Sequence, residues 1–230
     1  MIVAPALGAL FAGALAHGAY YPNSPIFGSV ISRVRSDQPL VALTFDDGPN
    51  PDATPAILDA LGDRGAKASF FILGRHAQRW PAIVRRVADE GHAICNHGYH
   101  HRKLHFKSPG YVRDDLELGT RAIVDACGVR PRFFRAPHGF RSPWVTAIAR
   151  SLGQRTVGWS RGVWDTSLPG VNVITERTVR AARPGAILLL HDGDGYDPLG
   201  DRTQTAQAVP IIVDRIRSAG LRFVTVDAAE

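Results

Sequence analysis

Two adjacent carboxylates, Asp46 and Asp47, close an apolar run over residues 40–45, and the chain then turns at Gly48-Pro49. Negative charge at the end of a buried strand needs a cation or a reacting proton nearby. The same pattern also fits a turn aspartate beside a helix-capping one. Further along, His97 and His101 stand four apart, a spacing that puts both imidazoles on one face of a helical turn. With a carboxylate from Asp46 or Asp47 they make a two-histidine, one-carboxylate set with open positions, suited to zinc or iron(II). Successive side chains diverge, so one aspartate can bind the ion while the other serves as general base toward its water. Arg135 can orient that base, and His191 can protonate a leaving group from the other side. Base, metal-activated water and acid together describe hydrolysis of an acyl bond.

The elements that must position these groups alternate in type from residue 40 onward. Strand-like segments fall at 40–45, 68–73, 92–96, 133–135, 154–159, 186–190 and 222–226. Amphipathic helical stretches fall between them at 54–63, 81–90, 112–126, 143–152, 174–182 and 203–219. Repeated strand–helix units predict a parallel sheet with crossover helices, and seven of them predict an α/β barrel or near-barrel. Chemistry in such folds sits on the loops after the strands. Asp46 and Asp47, the stretch 96–101, Arg135 with His138, the stretch 160–165 and His191 all fall there. Titratable groups collecting in five such loops mark a candidate active site.

The chain's 230 residues, 45% hydrophobic and 21% charged, suit one domain with a substantial core. The formal net charge is +6, but the basic residues are scattered and no nucleic-acid-binding signature is present, so no nucleic-acid partner is expected. Two cysteines, Cys95 and Cys127, exclude a disulfide framework and a cysteine-based zinc site, and free thiols are expected. Residues 1–36 form an apolar segment followed by a linker, and residues 37–230 form the catalytic domain. Residues 1–21 carry no charged side chain, and Ala14-Leu15-Ala16 has the small-x-small form of a cleavage site. Pro5 and several glycines fit a packed helix instead. The reading favoured is an export or anchoring segment, which places the protein outside the cytoplasm or at a membrane.

Thr44-Phe45-Asp46-Asp47-Gly48-Pro49, Asn96-His97 with His101, Arg135-Ala136-Pro137 and Leu188-Leu189-Leu190-His191-Asp192 occur in that order. Together they resemble the polysaccharide deacetylases of the NodB-homology type, carbohydrate esterase family 4, from about residue 40 to the C-terminus. The resemblance implies a distorted, incomplete (β/α) barrel of about seven parallel strands and a divalent metal, usually zinc. It implies removal of N- or O-acetyl groups from sugars such as those of chitin, peptidoglycan or xylan, and a monomer acting on such oligo- or polysaccharides. By position, Asp46 matches the general base, and Asp47, His97 and His101 match the metal ligands. Arg135 matches the arginine that orients the base, His191 the general acid, and Asp165 the carboxylate that holds this acid. Leu188 and Leu190 are expected to line the acetyl pocket, with His138 and Trp159 against the sugar.

The sequence departs from the family pattern at Gly98 and His100, where small hydroxyl residues are usual. It departs again at His138, in place of an aromatic, and at Thr166, in place of a tryptophan. These differences bear on the sugar pocket and leave the catalytic groups in place. Two other readings are a deacetylase or deformylase of a lipid-linked amino sugar, and a catalytically inactive glycan-binding module. The apolar N-terminus suits the first; the retained base, ligands and acid count against the second.

Overall fold

The structure is a computed structural model and describes residues 3–229. It opens with helix α1 (Val3–Tyr20) and continues through β1 (Leu40–Asp46), α2 (Ala53–Gly62), β2 (Ser69–Ile72), α3 (Gly74–Arg79) and α4 (Pro81–Asp89). The middle of the chain forms β3 (Ala93–Asn96), α5 (Pro109–Cys127), β4 (Phe133–Phe134), α6 (Val145–Ser151) and β5 (Arg155–Thr156). The last part forms β6 (Arg161–Gly162), α7 (Val171–Ala181), β7 (Ile187–His191), α8 (Thr203–Ser218) and β8 (Arg222–Val224).

All pairings between these strands are parallel, in the order β5-β4-β3-β2-β1-β7-β6, with β8 beside the start of β1. The curved sheet is a half-barrel, the incomplete α/β barrel expected from the repeated strand–helix units. Its open side lies between β5 and β6. Two segments differ from expectation there. The stretch 154–159 is strand only at Arg155–Thr156, because the Asn23 side chain takes the Trp159 backbone out of the ladder. Arg161–Gly162 adds a short strand that its sequence does not announce, since two residues carry no readable alternation. Residues 21–36 cross this open side, where Ile31 bridges Val157 and Arg33 bridges Ala186.

Strand alternation divides the core. On β1, Val41, Leu43 and Phe45 face the helices and pack with Leu188 and Leu190 of β7 and with Ile57, Leu61, Val209 and Ile212 of α2 and α8. Ala42 lies on the other face, in the barrel interior with Phe71, Cys95, Phe133 and Ile187. Each leucine buried this way contributes about 1.5–3 kcal/mol. Thr44 and Asp46 share the interior face with Ala42, as Leu189 and His191 share it with Ile187. The register pairs Thr44 with Leu189 and Asp46 with His191, so this face delivers one group from each strand to the same end.

Cys95 and Cys127 are both free. Leu10, Phe11 and Leu15 are exposed on α1. Among the described residues no helix is long and apolar enough to cross a membrane.

Candidate active site

A cavity of about 780 Å³ opens at the carboxyl ends of the strands, with Asp46, Asp47, His97, His101 and His191 in its wall. Asp46 is the last residue of β1, whereas Asp47 turns left-handed with φ 72°. The buried His76 imidazole supports that turn by donating from Nδ1 to the Asp47 carbonyl at 2.9 Å. The two carboxylates consequently meet different partners.

Asp46 accepts from Arg135 Nη1 at 2.6 Å. The same guanidinium donates to Thr44 Oγ1 at 2.9 Å and to the Gly158 carbonyl at 2.8 Å, and it stacks 3.9 Å above the Phe71 ring. Arg135 is completely buried, so its charge is compensated by these contacts and by Asp46.

Asp47 Oδ1 lies 3.0 Å from His101 Nε2 and 3.3 Å from His97 Nε2. One ligand atom from each of these three residues lies within 4.8 Å of the others, and all three residues are buried. His97 Nδ1 is 2.8 Å from the Arg135 carbonyl, which can only accept, so Nδ1 carries the proton and Nε2 presents a lone pair. Asp47 Oδ1 has no hydrogen-bond donor although it is buried. A buried carboxylate facing two imidazole nitrogens without a bridging donor fits a divalent cation.

The histidine loop is braced from behind. Asp115 of α5 accepts from the backbone N–H groups of Tyr99 and His100 and from the His100 ring. Asn96 accepts from Gly98 N–H at 2.8 Å and donates to Gln154 at 3.1 Å. These groups orient His97 and His101 where the sequence lacks the usual hydroxyl residues. Nothing in the spacing of Asp115 sets it apart from other helix-surface acids, and only its burial reveals the role.

On the opposite side, His191 Nδ1 donates to Asp165 Oδ1 at 2.9 Å, and Asp165 Oδ2 accepts from the His191 N–H and from Thr205. Burial opposes the imidazolium charge, but Asp165, with smaller help from Asp47 and Asp46, lifts the His191 pKa to about 9. Asp165 is itself held low against the effect of burial by His191. The neighbouring Asp192, absent from the sequence-based set, is pushed up to about 7 by burial, although Thr54 donates to it at 2.7 Å.

His138 and Trp159 line the cavity. His138 takes φ 59°, and its Nε2 lies 2.9 Å from the Tyr196 hydroxyl. Leu188 and Leu190 do not line it: both are fully buried among the helices. Leu189, between them, faces the cavity, so the expected apolar lining moves by one residue. Tyr196 and Arg202, which no sequence motif marks, also stand in this wall, as does Trp164 from the expected stretch 160–165.

The chain is similar to known proteins over most of its length. The profile of the family described as Polysaccharide deacetylase matches residues 33–157. The chain is 38% identical over 192 residues to a chitooligosaccharide deacetylase of Bradyrhizobium sp. (strain ANU 289), covering 80% of this chain and 87% of the relative. This chain belongs to the polysaccharide deacetylase family. The deacetylase is also 37% identical over 201 residues to a peptidoglycan-N-acetylglucosamine deacetylase of Bacillus cereus, covering 86% of this chain and 92% of the relative. The solved structure of the Bc1960 peptidoglycan N-acetylglucosamine deacetylase superposes on it with a TM-score of 0.79 at 31% identity, covering 86% and 91% of the two chains.

Proposed function

We propose that this deacetylase hydrolyses the acetamide of an N-acetylglucosamine residue within a chitin-like or peptidoglycan-like chain, using zinc held by Asp47, His97 and His101. The observation that carries the reading is the register of β1 and β7. It sets Asp46 and His191 side by side on one face, next to the three convergent ligand atoms. Asp47, His97 and His101 would hold the ion, which when bound would supply Lewis acidity toward the acetyl carbonyl.

The chain's own groups do the proton chemistry. Asp46, oriented by Arg135, takes a proton from the attacking water. His191, charged through Asp165, donates a proton to the sugar nitrogen as the carbon–nitrogen bond breaks. Acetate and the free amino sugar leave. Leu189 supplies the apolar surface against the acetyl methyl, and His138 and Trp159 bound the sugar.

The exposed Leu10, Phe11 and Leu15 of α1 support contact with a membrane surface. The test is acetate release from chitooligosaccharides, peptidoglycan and acetylxylan, with and without added zinc. Zinc-dependent release from the first two is expected. Release from none of the three, or full activity after exhaustive metal removal, would overturn the reading.

A further inference from the structure

Part of the cavity wall comes from the segment that precedes the family match. The family match begins at residue 33, yet Tyr21, Pro22 and Asn23 line the cavity. These residues are fastened at several points. The Asn23 side chain donates to the Trp159 carbonyl at 2.8 Å and accepts from its N–H at 3.3 Å, tying the segment to a cavity residue. Pro22 sits against Gly139, where an added Cβ would lie 2.6 Å from the proline ring. The buried Arg141 donates to the carbonyls of Ser24 at 2.7 Å and Tyr21 at 3.5 Å. The Tyr21 ring packs on His17 with centroids 5.0 Å apart, and His17 bonds Ser24 at 2.8 Å. The result is a half-exposed aromatic ring, 52% accessible, held by a rigid strap at the cavity wall.

Resting on the deacetylase reading, we propose that this strap is a sugar-binding wall of the cleft. The Tyr21 ring stacks on a sugar ring adjacent to the one deacetylated, so chain length is read partly by residues that precede the family match. The chemistry suits it: a pyranose presents a face of C–H groups that an amphipathic aromatic ring covers, while its hydroxyls stay solvated. Binding energy gained there, away from the reacting carbonyl, is available to hold the acetyl group in register. Pre-fixing the ring through His17 and Arg141 lowers the ordering cost of that contact.

The test compares ligand lengths in the full-length, zinc-loaded chain with Asp46→Asn added to stop turnover. Calorimetry measures binding of N-acetylated chitotetraose and of N-acetylglucosamine, and thermal unfolding follows the fold. Tyr21→Ala is expected to weaken the tetramer roughly threefold to tenfold and to erase most of its advantage over the monosaccharide. Tyr21→Phe should keep that advantage. Equal tetramer affinity in Tyr21→Ala, or equal losses for both ligands, overturns the wall. Loss of the advantage in Tyr21→Phe together with a lower unfolding midpoint means a scaffold role and also overturns it. Acetate release by the wild-type chain judges the deacetylase reading separately, so the two failures are distinguishable.

Discussion

Asp46 and Asp47 are adjacent in sequence yet hold different partners: Asp46 meets Arg135 at 2.6 Å, and Asp47 meets His101 at 3.0 Å. The left-handed turn at Asp47, φ 72°, separates them. One acid is therefore oriented by a guanidinium and the other faces two imidazoles. This division predicts opposite outcomes for metal and turnover. Asp46→Asn should lower kcat about 10²- to 10⁴-fold while zinc content, measured by elemental analysis, stays near one per chain. Asp47→Ala or His97→Ala should lose both zinc and activity. Full activity in Asp46→Asn would sink its role as base.

The pair His191 and Asp165 sets the alkaline limit. A histidine lifted to about 9 is protonated, and able to act as acid, below that pH and not above it. The rate should fall as pH rises toward 9, and a bound cation, offsetting the Asp47 charge, moves the limb to or below that value. Asp165→Asn removes the main support for the charge and should move the limb down toward the ordinary histidine value of 6.5. The stability sign follows from the same shift. A raised folded pKa contributes stability that is complete below about 6.5 and is lost as pH rises through about 9. Profiles of kcat/KM and of unfolding midpoint against pH measure both. An unmoved limb in Asp165→Asn would exclude His191 as the titrating group.

Gly195 tests the packing of His101, a proposed metal ligand. A Cβ added there would sit 2.0 Å from His101 Nδ1, so the imidazole or the Gly195 loop has to shift. Gly195→Ala should weaken zinc binding roughly 10- to 100-fold, the scale on which groups that orient ligands act. Competition with a chelator of known affinity reads this out. Unchanged zinc affinity would show that the loop yields instead of the ring.

Adjacent leucines on β7 should separate stability from binding. Leu188 is fully buried among the helices, so Leu188→Ala should cost about 2–5 kcal/mol of folding stability. Leu189 lies at the cavity, so Leu189→Ala should mainly raise KM for acetylated substrate. Denaturant titration and steady-state kinetics on both variants check the pair. The reverse pattern would restore Leu188 to the pocket.

Much of this protein could be read before any fold was known. The alternation of apolar strands with amphipathic helices implies a parallel sheet, because only crossover helices let consecutive strands run the same way. Acids and histidines placed just after those strands must gather at one end, so Asp46, Asp47, His97, His101, Arg135 and His191 could be named together from local sequence. Tertiary structure decided what local sequence cannot encode. Residues 187–190 form an unbroken apolar run, so nothing in it says which leucines face the helices and which faces the cavity. Pairing with β1 settles the phase and turns Leu189 inward. Asp115 and His76 support the site only through long-range contacts, and Tyr21 reaches the cavity only because Arg141 and Asn23 fasten its segment there. Spacing carries chemistry when neighbours in sequence act together; the wall of a cleft is assembled by distant ones.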